Sequence, residues 1–383
     1  MKRRTHPPRE DWERKVEEAG LAHHTVGGVP YWSEDAHYVF TFAEVLRIEE
    51  ATRELHALCL DAAEAVIRDR RYAELAIPPH AVPLIEASWE ADAPSLYGRF
   101  DLSYDGRGEP KLLEYNADTP TSLVEAAVAQ WFWLEERFPG GDQFNRLHEA
   151  LVETWAALEP YLASARVHFA AQDDLEDQAT VTYLRDTAQQ AGLETVALAM
   201  ADLGWDAGAG EFVDLDGAPI RAVFKLYPWE WMVHEEFGAH LARTRDALQW
   251  IEPAWKMVLS NKGILPILWE RNPHHPNLLP AYRDDLTFTG ADAYVVKPLL
   301  SREGANVRIV SPWHPEARTG GDYGEEGFVY QEYAPLPEFD GMRPVIGSWI
   351  VGQAPAGMGI RESAGPITDN LSRFVPHRIE GAR

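Results

Sequence analysis

A single cysteine, Cys59, among 383 residues removes every architecture that needs a pair. No intrachain disulfide, zinc ribbon or CxxC redox motif can form from one thiol, so a reducing compartment, the cytoplasm, is expected. Basic residues are scarce too: 35 Lys plus Arg stand against 61 Asp plus Glu, a formal net charge of −26. Such a field repels polyanions, which makes nucleic acid and anionic membranes poor partners and is compatible with either a cationic substrate or plain solubility. Long apolar runs are missing as well. The longest uncharged stretch, PVIGSWIVGQAPAGMGI at 344–360, holds four Gly and two Pro and reads as two buried strands around a Gly-Gln turn. The opening MKRRTHPPREDWERK has prolines and alternating charge where a signal peptide keeps its apolar segment.

What is present is an ordinary globular composition, 45% hydrophobic and 25% charged. At about 150 residues per domain the length predicts two to three domains or one large enzyme core with appended subdomains. Residues 41–70 place Leu46, Ile48, Leu55, Leu58, Cys59, Ala62, Ala65 and Val66 at helical spacing behind a Thr cap, which predicts a long amphipathic helix with Cys59 in its apolar stripe. Further helices are expected over 122–137 and 142–163, and 165–200 reads as strand, acidic loop, helix and strand. Beyond about residue 290, AYVVKPLL, NVRIV, GFVYQEY, RPVIGSWIV and APAGMGIRE predict a largely antiparallel sheet. The 14 Trp are read as core and subdomain contacts ahead of sugar-stacking platforms.

The stretch RFDLSYDGRGEPKLLEYNAD, residues 99–118, has two alternating runs flanking Asp105-Gly106-Arg107-Gly108, a hairpin signal. With Gly106 and Arg107 at the tip, opposed residues sum to 213, pairing Arg99 with Glu114 and Asp101 with Leu112. Arg99, Asp101, Glu114 and Asn116 then share one face. Two carboxylates and an amide oxygen form a hard-ligand set suited to Mg²⁺, which usually takes its remaining ligands from water and phosphate. The same residues also describe an exposed hairpin with an Arg99–Glu114 cross-strand pair.

Lys297 ends an apolar strand, where an ammonium must either snorkel out or meet an anion. The turn Ser301-Arg302-Glu303-Gly304-Ala305-Asn306 offers amides and one guanidinium that can close over a polyphosphate, and it equally fits a solvated hairpin. Lys262 opens a helix-like segment and Arg361 closes a strand. Gln331, Glu332 and Tyr333 end a strand whose backbone can face a purine edge. His274 and His275, like His23 and His24, read as turn residues, and His148 as a helix-surface residue.

Taken together, the chain resembles the synthetase domain of glutathionylspermidine synthase and its amidase-less bacterial relatives, acid–amine ligases of ATP-grasp fold. The resemblance spans nearly the whole length. It rests on YWSEDAHY (31–38), PSLYGRFDL (94–102), LLEYNADTPTSL (112–123), FKLYPWEWM (224–232), EPAWKMVLSNK (252–262), VVKPLLSREGANV (295–307) and IGSWIVGQAPAGMGIRES (346–363). It implies an α/β (α+β) fold, a circularly permuted ATP-grasp with a pre-ATP-grasp-like α/β subdomain. The implied organisation is an N-terminal helical region at 1–95, a metal-ligand hairpin at 96–125, helices plus the α/β subdomain at 126–255, and lysine strands, phosphate loop and C-terminal strands at 256–383.

By the same resemblance, Asp101, Glu114 and Asn116 match Mg²⁺ ligands, and Arg99 matches an arginine beside the transferring groups. Lys262 and Lys297 match ATP-phosphate lysines, Arg302 and Gly304 lie on the phosphate loop, and Arg361 matches a further phosphate-site arginine. The backbone at Gln331, Glu332 and Tyr333 would hold adenine, Thr119 and Thr121 stand where the synthase has serines near a thiol peptide, and Glu176 falls in the acidic loop associated with the polyamine. The implied reaction consumes ATP and joins a small-molecule carboxylate to an amine through an acyl phosphate. Because Cys59 does not replace the missing cysteine amidase, amide hydrolysis is not expected. Two other readings carry less of the sequence. One is a nucleotide-binding protein without ligase chemistry. The other is a glycoside hydrolase, suggested by the Trp content and by acidic pairs such as Asp173–Asp174 and Glu325–Glu326.

Overall fold

The computed structural model describes residues 1–313 and 315–381. The chain's longest helix, Phe42–Arg68, begins where Thr41 predicts: its hydroxyl accepts from the Glu44 N–H at 3.3 Å, and the Glu44 carboxylate accepts from the Thr41 N–H at 2.7 Å. A reciprocal cap of this kind contributes about 1 kcal/mol by supplying partners to amides the helix leaves open. Ile48, Leu55, Cys59, Ala62 and Val66 are fully buried on one face, against the long hairpin Arg343–Val351 and Ala354–Ser363. Thr52 reaches across to Ser348, hydroxyl to hydroxyl at 2.6 Å. Leu46 departs from the expected stripe and is 47% exposed, on the solvent side of the first turn. Cys59 has no exposed surface, and burial pushes its thiol up, so it behaves as a small apolar residue.

Two antiparallel five-stranded sheets carry Arg99, Asp101, Glu114, Asn116 and Arg361 on one and Lys297, Gln331 and Glu332 on the other. The first runs Arg373–Phe374, Ala354–Ser363, Arg343–Val351, Tyr97–Ser103, Lys111–Asn116. Its long hairpin is the uncharged stretch, closed at Gly352, whose φ of +59° is the left-handed backbone such a turn demands. The second runs Ala281–Tyr282, Phe328–Glu332, Tyr294–Pro298, Arg308–Val310, Ala317–Arg318.

A separate parallel sheet, ordered Gln249–Ile251, Ala222–Leu226, Arg166–Ala171, Glu194–Ala199, contains the strand–helix–strand unit, with the helix at Leu175–Gln190. Its central strands are buried on both faces, which explains why AVFKL and VHFAA read as continuous apolar runs rather than alternating ones. Lys225 lies inside one of them. A three-stranded sheet, Lys2–Thr5, Ala36–Phe40, His377–Ile379, joins the two ends of the described chain. Helices are shorter than the sequence reading gave: 122–137 resolves into a π-helical turn Glu125–Ala129 and a helix Gln130–Arg137, and 142–163 into Leu147–Leu158 with a 3-10 turn. Among the described residues, no helix is long and apolar enough to cross a membrane.

Candidate active site

The hairpin at 97–116 differs in register from the spacing argument. Arg99 lies opposite Asn116 and Asp101 opposite Glu114, with a bulge after Asp101 that resets the pairing to Leu102–Leu112. A two-residue tip is replaced by a loop over 104–110, in which the Asp105 carboxylate accepts from the N–H groups of Arg107 and Gly108 at 2.8 and 2.9 Å. The register there moves by two, an even number, so Arg99, Asp101, Glu114 and Asn116 still face the same side.

On that face Asp101 accepts from Arg99 twice, Nε to Oδ1 at 2.7 Å and a terminal nitrogen to Oδ2 at 3.2 Å. Glu114 meets the Lys262 ammonium at 3.1 Å. Burial pushes both carboxyls up. For Glu114 the Lys262 and Lys297 ammoniums more than offset it and hold the group at about 2. Asp101 stays raised, because burial and the Glu114 charge outweigh Arg99. Two carboxylates that repel one another across a strand pair, with Asn116 on the same face able to offer its amide oxygen, fit a hard divalent cation.

Lys297 approaches from the second sheet. Its ammonium donates to Leu113 O at 2.8 Å and to Gln331 Oε1 at 2.7 Å. Gln331 in turn donates to Leu112 O at 3.0 Å, so this amide fixes the lysine against the hairpin. Burial lowers the Lys297 ammonium to about 8 despite the nearby Glu114, with Lys262 adding to the fall. Lys262 itself donates to Ser301 O at 2.5 Å, and its own backbone N–H to Leu299 O, just before the helix Ile264–Arg271.

Asp101, Glu114, Lys262, Lys297, Gly304, Gln331, Glu332 and Tyr333 line one cleft between the two sheets. Gly304 closes it: at φ +67°, a Cβ there would sit 2.3 Å from Thr368 O, so only glycine lets the loop dock. The N–H groups of Glu332 and Tyr333 already donate to Pro280 O and Ala293 O, so neither is free for a purine.

A smaller recess shares Asp101, Val345 and Thr368 with that cleft and adds Arg99, Arg361, Ser122 and Trp349. Arg361 donates to Asp369 O at 2.6 Å and keeps its buried Nε unpartnered. Arg302 points elsewhere. Its guanidinium donates to Thr119 Oγ1 at 2.7 Å and Glu230 at 2.8 Å, over the Trp231 ring, so it spans from its loop to the far wall rather than lining the cleft. Thr121 gives its carbonyl to Arg99 at 2.5 Å and its hydroxyl lies beside Glu176.

Sequence reasoning missed the support beneath these groups. Asp118 and Lys225 are both fully buried, 2.5 Å apart. The other Asp118 oxygen accepts from Trp229 N–H at 2.9 Å, and Lys225 also donates to Tyr227 O. A lysine in the apolar run AVFKL and an aspartate five residues past Leu113 were the available signals. His23 lies in a turn, as the sequence reading had it, and there it meets Glu125 and Glu176, which that reading missed, one ligand atom from each lying within 4.8 Å of the others.

The sequence profile of the family described as glutathionylspermidine synthase preATP-grasp matches residues 3–380. A Haemophilus influenzae protein named "Putative acid–amine ligase" is 44% identical, over 98% of this chain and 99% of its own length. The bifunctional glutathionylspermidine synthetase/amidase of Escherichia coli is 32% identical over 90% of this chain, which spans 60% of that longer protein. Among solved structures, a glutathione synthetase-like effector of Globodera pallida superposes with a TM-score of 0.58 over 96% of each chain at 12% identity, a likeness of fold alone.

Proposed function

The chain belongs to the glutathionylspermidine synthase preATP-grasp family, and from that premise we propose that it is an ATP-dependent ligase that joins a carboxylate to an amine. The observation that carries this reading is the convergence, in one cleft between two sheets, of Asp101 and Glu114 with Lys262, Lys297 and the glycine of a docked loop. The hairpin precedes the lysine strands in the chain, an order that supports a circularly permuted ATP-grasp. Asp101, Glu114 and Asn116 would hold Mg²⁺, which when bound neutralises developing charge on phosphoryl oxygens.

The remaining work belongs to side chains. Lys262 and Lys297 meet the polyphosphate, while Arg99 and Arg361, in the adjoining recess, meet the substrate carboxylate and the phosphoryl group it receives. The carboxylate oxygen attacks the γ-phosphorus and ADP leaves. The amine then attacks the acyl carbon, and phosphate departs with the amide formed. Arg302 holds its loop across the entrance by bonds to Thr119 and Glu230, which shields an acyl phosphate from water. Thr121, whose carbonyl accepts from Arg99, Glu176 beside its hydroxyl and Thr119, bonded to Arg302, would border the two substrates. The backbone at Gln331 to Tyr333 would border adenine through its carbonyls. Cys59, buried in the core, supplies no amidase nucleophile.

Screening thiol peptides and short peptides against polyamines and amino acids, with ADP detection and mass analysis of the product, tests the reading. ADP formation that needs both partners and yields an amide is expected. Nucleotide binding with no turnover on any pair would favour a protein without ligase chemistry.

The lowered Lys297 gives a pH prediction. A polyphosphate beside it favours the ammonium, so binding raises its pKa, and above about pH 8 nucleotide binding takes up a proton and weakens as pH climbs. Calorimetry in buffers of different ionisation enthalpy measures that uptake, and Lys297→Met is expected to abolish it.

A further inference from the structure

A half-buried imidazole stands beyond the recess, its inward nitrogen without a partner among the described residues. His23 has a 10% exposed side chain, its Nε2 lies 3.2 Å from Glu125 Oε1, and its Nδ1 is buried with no partner among the described residues. Glu125 is itself 1% exposed and belongs to the π-helical turn Glu125–Ala129. Glu176, on the first turn of the helix Leu175–Gln190, completes the cluster and lies beside the Thr121 hydroxyl. Thr121 is bonded through its carbonyl to Arg99. An unbroken set of neighbours therefore runs from the arginine at the acyl recess to His23. The Tyr31 ring, 5.6 Å from the imidazole, covers it, and the Tyr31 hydroxyl bonds Ser122, which lines the same recess as Arg99 and Arg361.

A charge count shows what the cluster lacks. With both carboxylates ionised, it is net negative whether His23 is neutral or protonated. A cationic guest offsets that charge, and an alkylammonium is the form in which an amine substrate arrives. That guest must shed a proton before it can attack. We propose that His23 is the proton acceptor for the amine, with Glu176 holding the ammonium and Glu125 fixing the imidazole tautomer. This rests on the ligase reading given above.

The tautomer follows from the bonds. Nε2–H donates to Glu125, which leaves the Nδ1 lone pair as the buried acceptor. The ammonium transfers one proton to Nδ1, and the neutral nitrogen attacks the acyl carbon. The C–N bond forms, the bond from that carbon to the phosphate oxygen breaks, and the nitrogen's second proton leaves with phosphate as hydrogen phosphate. His23 then returns its proton to solvent.

The groups that face His23 set the pH at which this base becomes available. Burial lowers it, but the bond and charge of Glu125, together with Glu176 and Asp174 at the start of the neighbouring helix, raise it above its ordinary value. Arg361 acts on Glu176 and Tyr31, behind the imidazole. Turnover with an alkylamine therefore rises with pH through a limb above about 6.5.

The test compares two nucleophiles on the full chain. Hydroxylamine is already neutral at neutral pH and needs no base, whereas an alkylamine does. His23→Gln is expected to cut alkylamine turnover by about 10²-fold, the usual scale of general-base loss, and to leave hydroxamate formation within a few-fold of the parent. The rising pH limb should vanish in His23→Gln and move to lower pH in Glu125→Gln, since removing that carboxylate releases the imidazolium proton more easily. An equal loss with both nucleophiles, or an alkylamine rate that survives in His23→Gln, would overturn the assignment. One equivalent of zinc or manganese in the purified protein, lost in His23→Gln, would overturn it in favour of a metal site. If the parent protein makes neither ADP nor hydroxamate with any carboxylate, the ligase reading fails, a result distinct from a defect confined to alkylamines.

Discussion

Alanine at Asp101 is expected to lower turnover by about 10²- to 10³-fold, equivalent to roughly 2.7–4 kcal/mol of transition-state stabilisation. Two losses combine in that figure. The proposed cation site keeps only Glu114 and Asn116, and the Arg99 guanidinium, buried and held by both Asp101 oxygens, loses the partner that aims it at the recess. Asp101→Asn separates them, because the amide oxygen still accepts from Arg99 while the charge is gone. A Mg²⁺ titration of ADP release should show a raised requirement in both variants and a larger fall in kcat for alanine. Normal ATP turnover in Asp101→Ala with a productive substrate pair would remove this hairpin from the chemistry.

Removal of one partner from the buried pair Asp118–Lys225 is expected to cost about 3–5 kcal/mol of stability, the scale for leaving a buried charge alone. Neither side chain has exposed surface, and burial pushes the Asp118 carboxyl up and the Lys225 ammonium down while the charge of each partner opposes that push on the other. Denaturant unfolding of Asp118→Asn, Lys225→Met and the double variant checks this. The double variant should lose less than the sum of the singles, since it leaves no orphan charge. Asp118 also accepts from the N–H of Trp229, which starts the short helix carrying Glu230 and Trp231, the partners of Arg302. The variants should therefore loosen the loop that carries Arg302 as well. A stability change below about 1 kcal/mol in either single variant would show that water reaches this pair.

The long helix and the hairpin at 343–363 were legible because each is governed by local rules: a Thr–Glu capping box, apolar spacing of 3.6, and a glycine at the turn. The strand–helix–strand unit at 166–199 was legible for the same reason. The hairpin at 97–116 was read in part. Its face survived and its register did not, because a bulge and a long loop depend on how Asp105 folds back on Arg107 and Gly108, and an even shift conceals the error. Arg302 was expected over the phosphates, and its bonds to Thr119 and Glu230 come from segments distant in the chain. His23 looked unremarkable in HHTVGG because the groups that give it meaning, Glu125 and Glu176, stand 102 and 153 positions away.

Residue chemistry and order along the chain thus determined which groups this protein can bring to a reaction: hard oxygen donors on alternating strand positions, lysines at the ends of apolar segments, and a loop in which Gly304 is the residue that permits closure. Alternation and capping act between neighbours, so they are written in sequence. Which of these groups meet was decided only by tertiary structure. Lys297 reaches the hairpin through Gln331, and Lys225 finds Asp118 in a dry interior, since burial strengthens a charge's need for a partner without specifying where in the chain that partner lies.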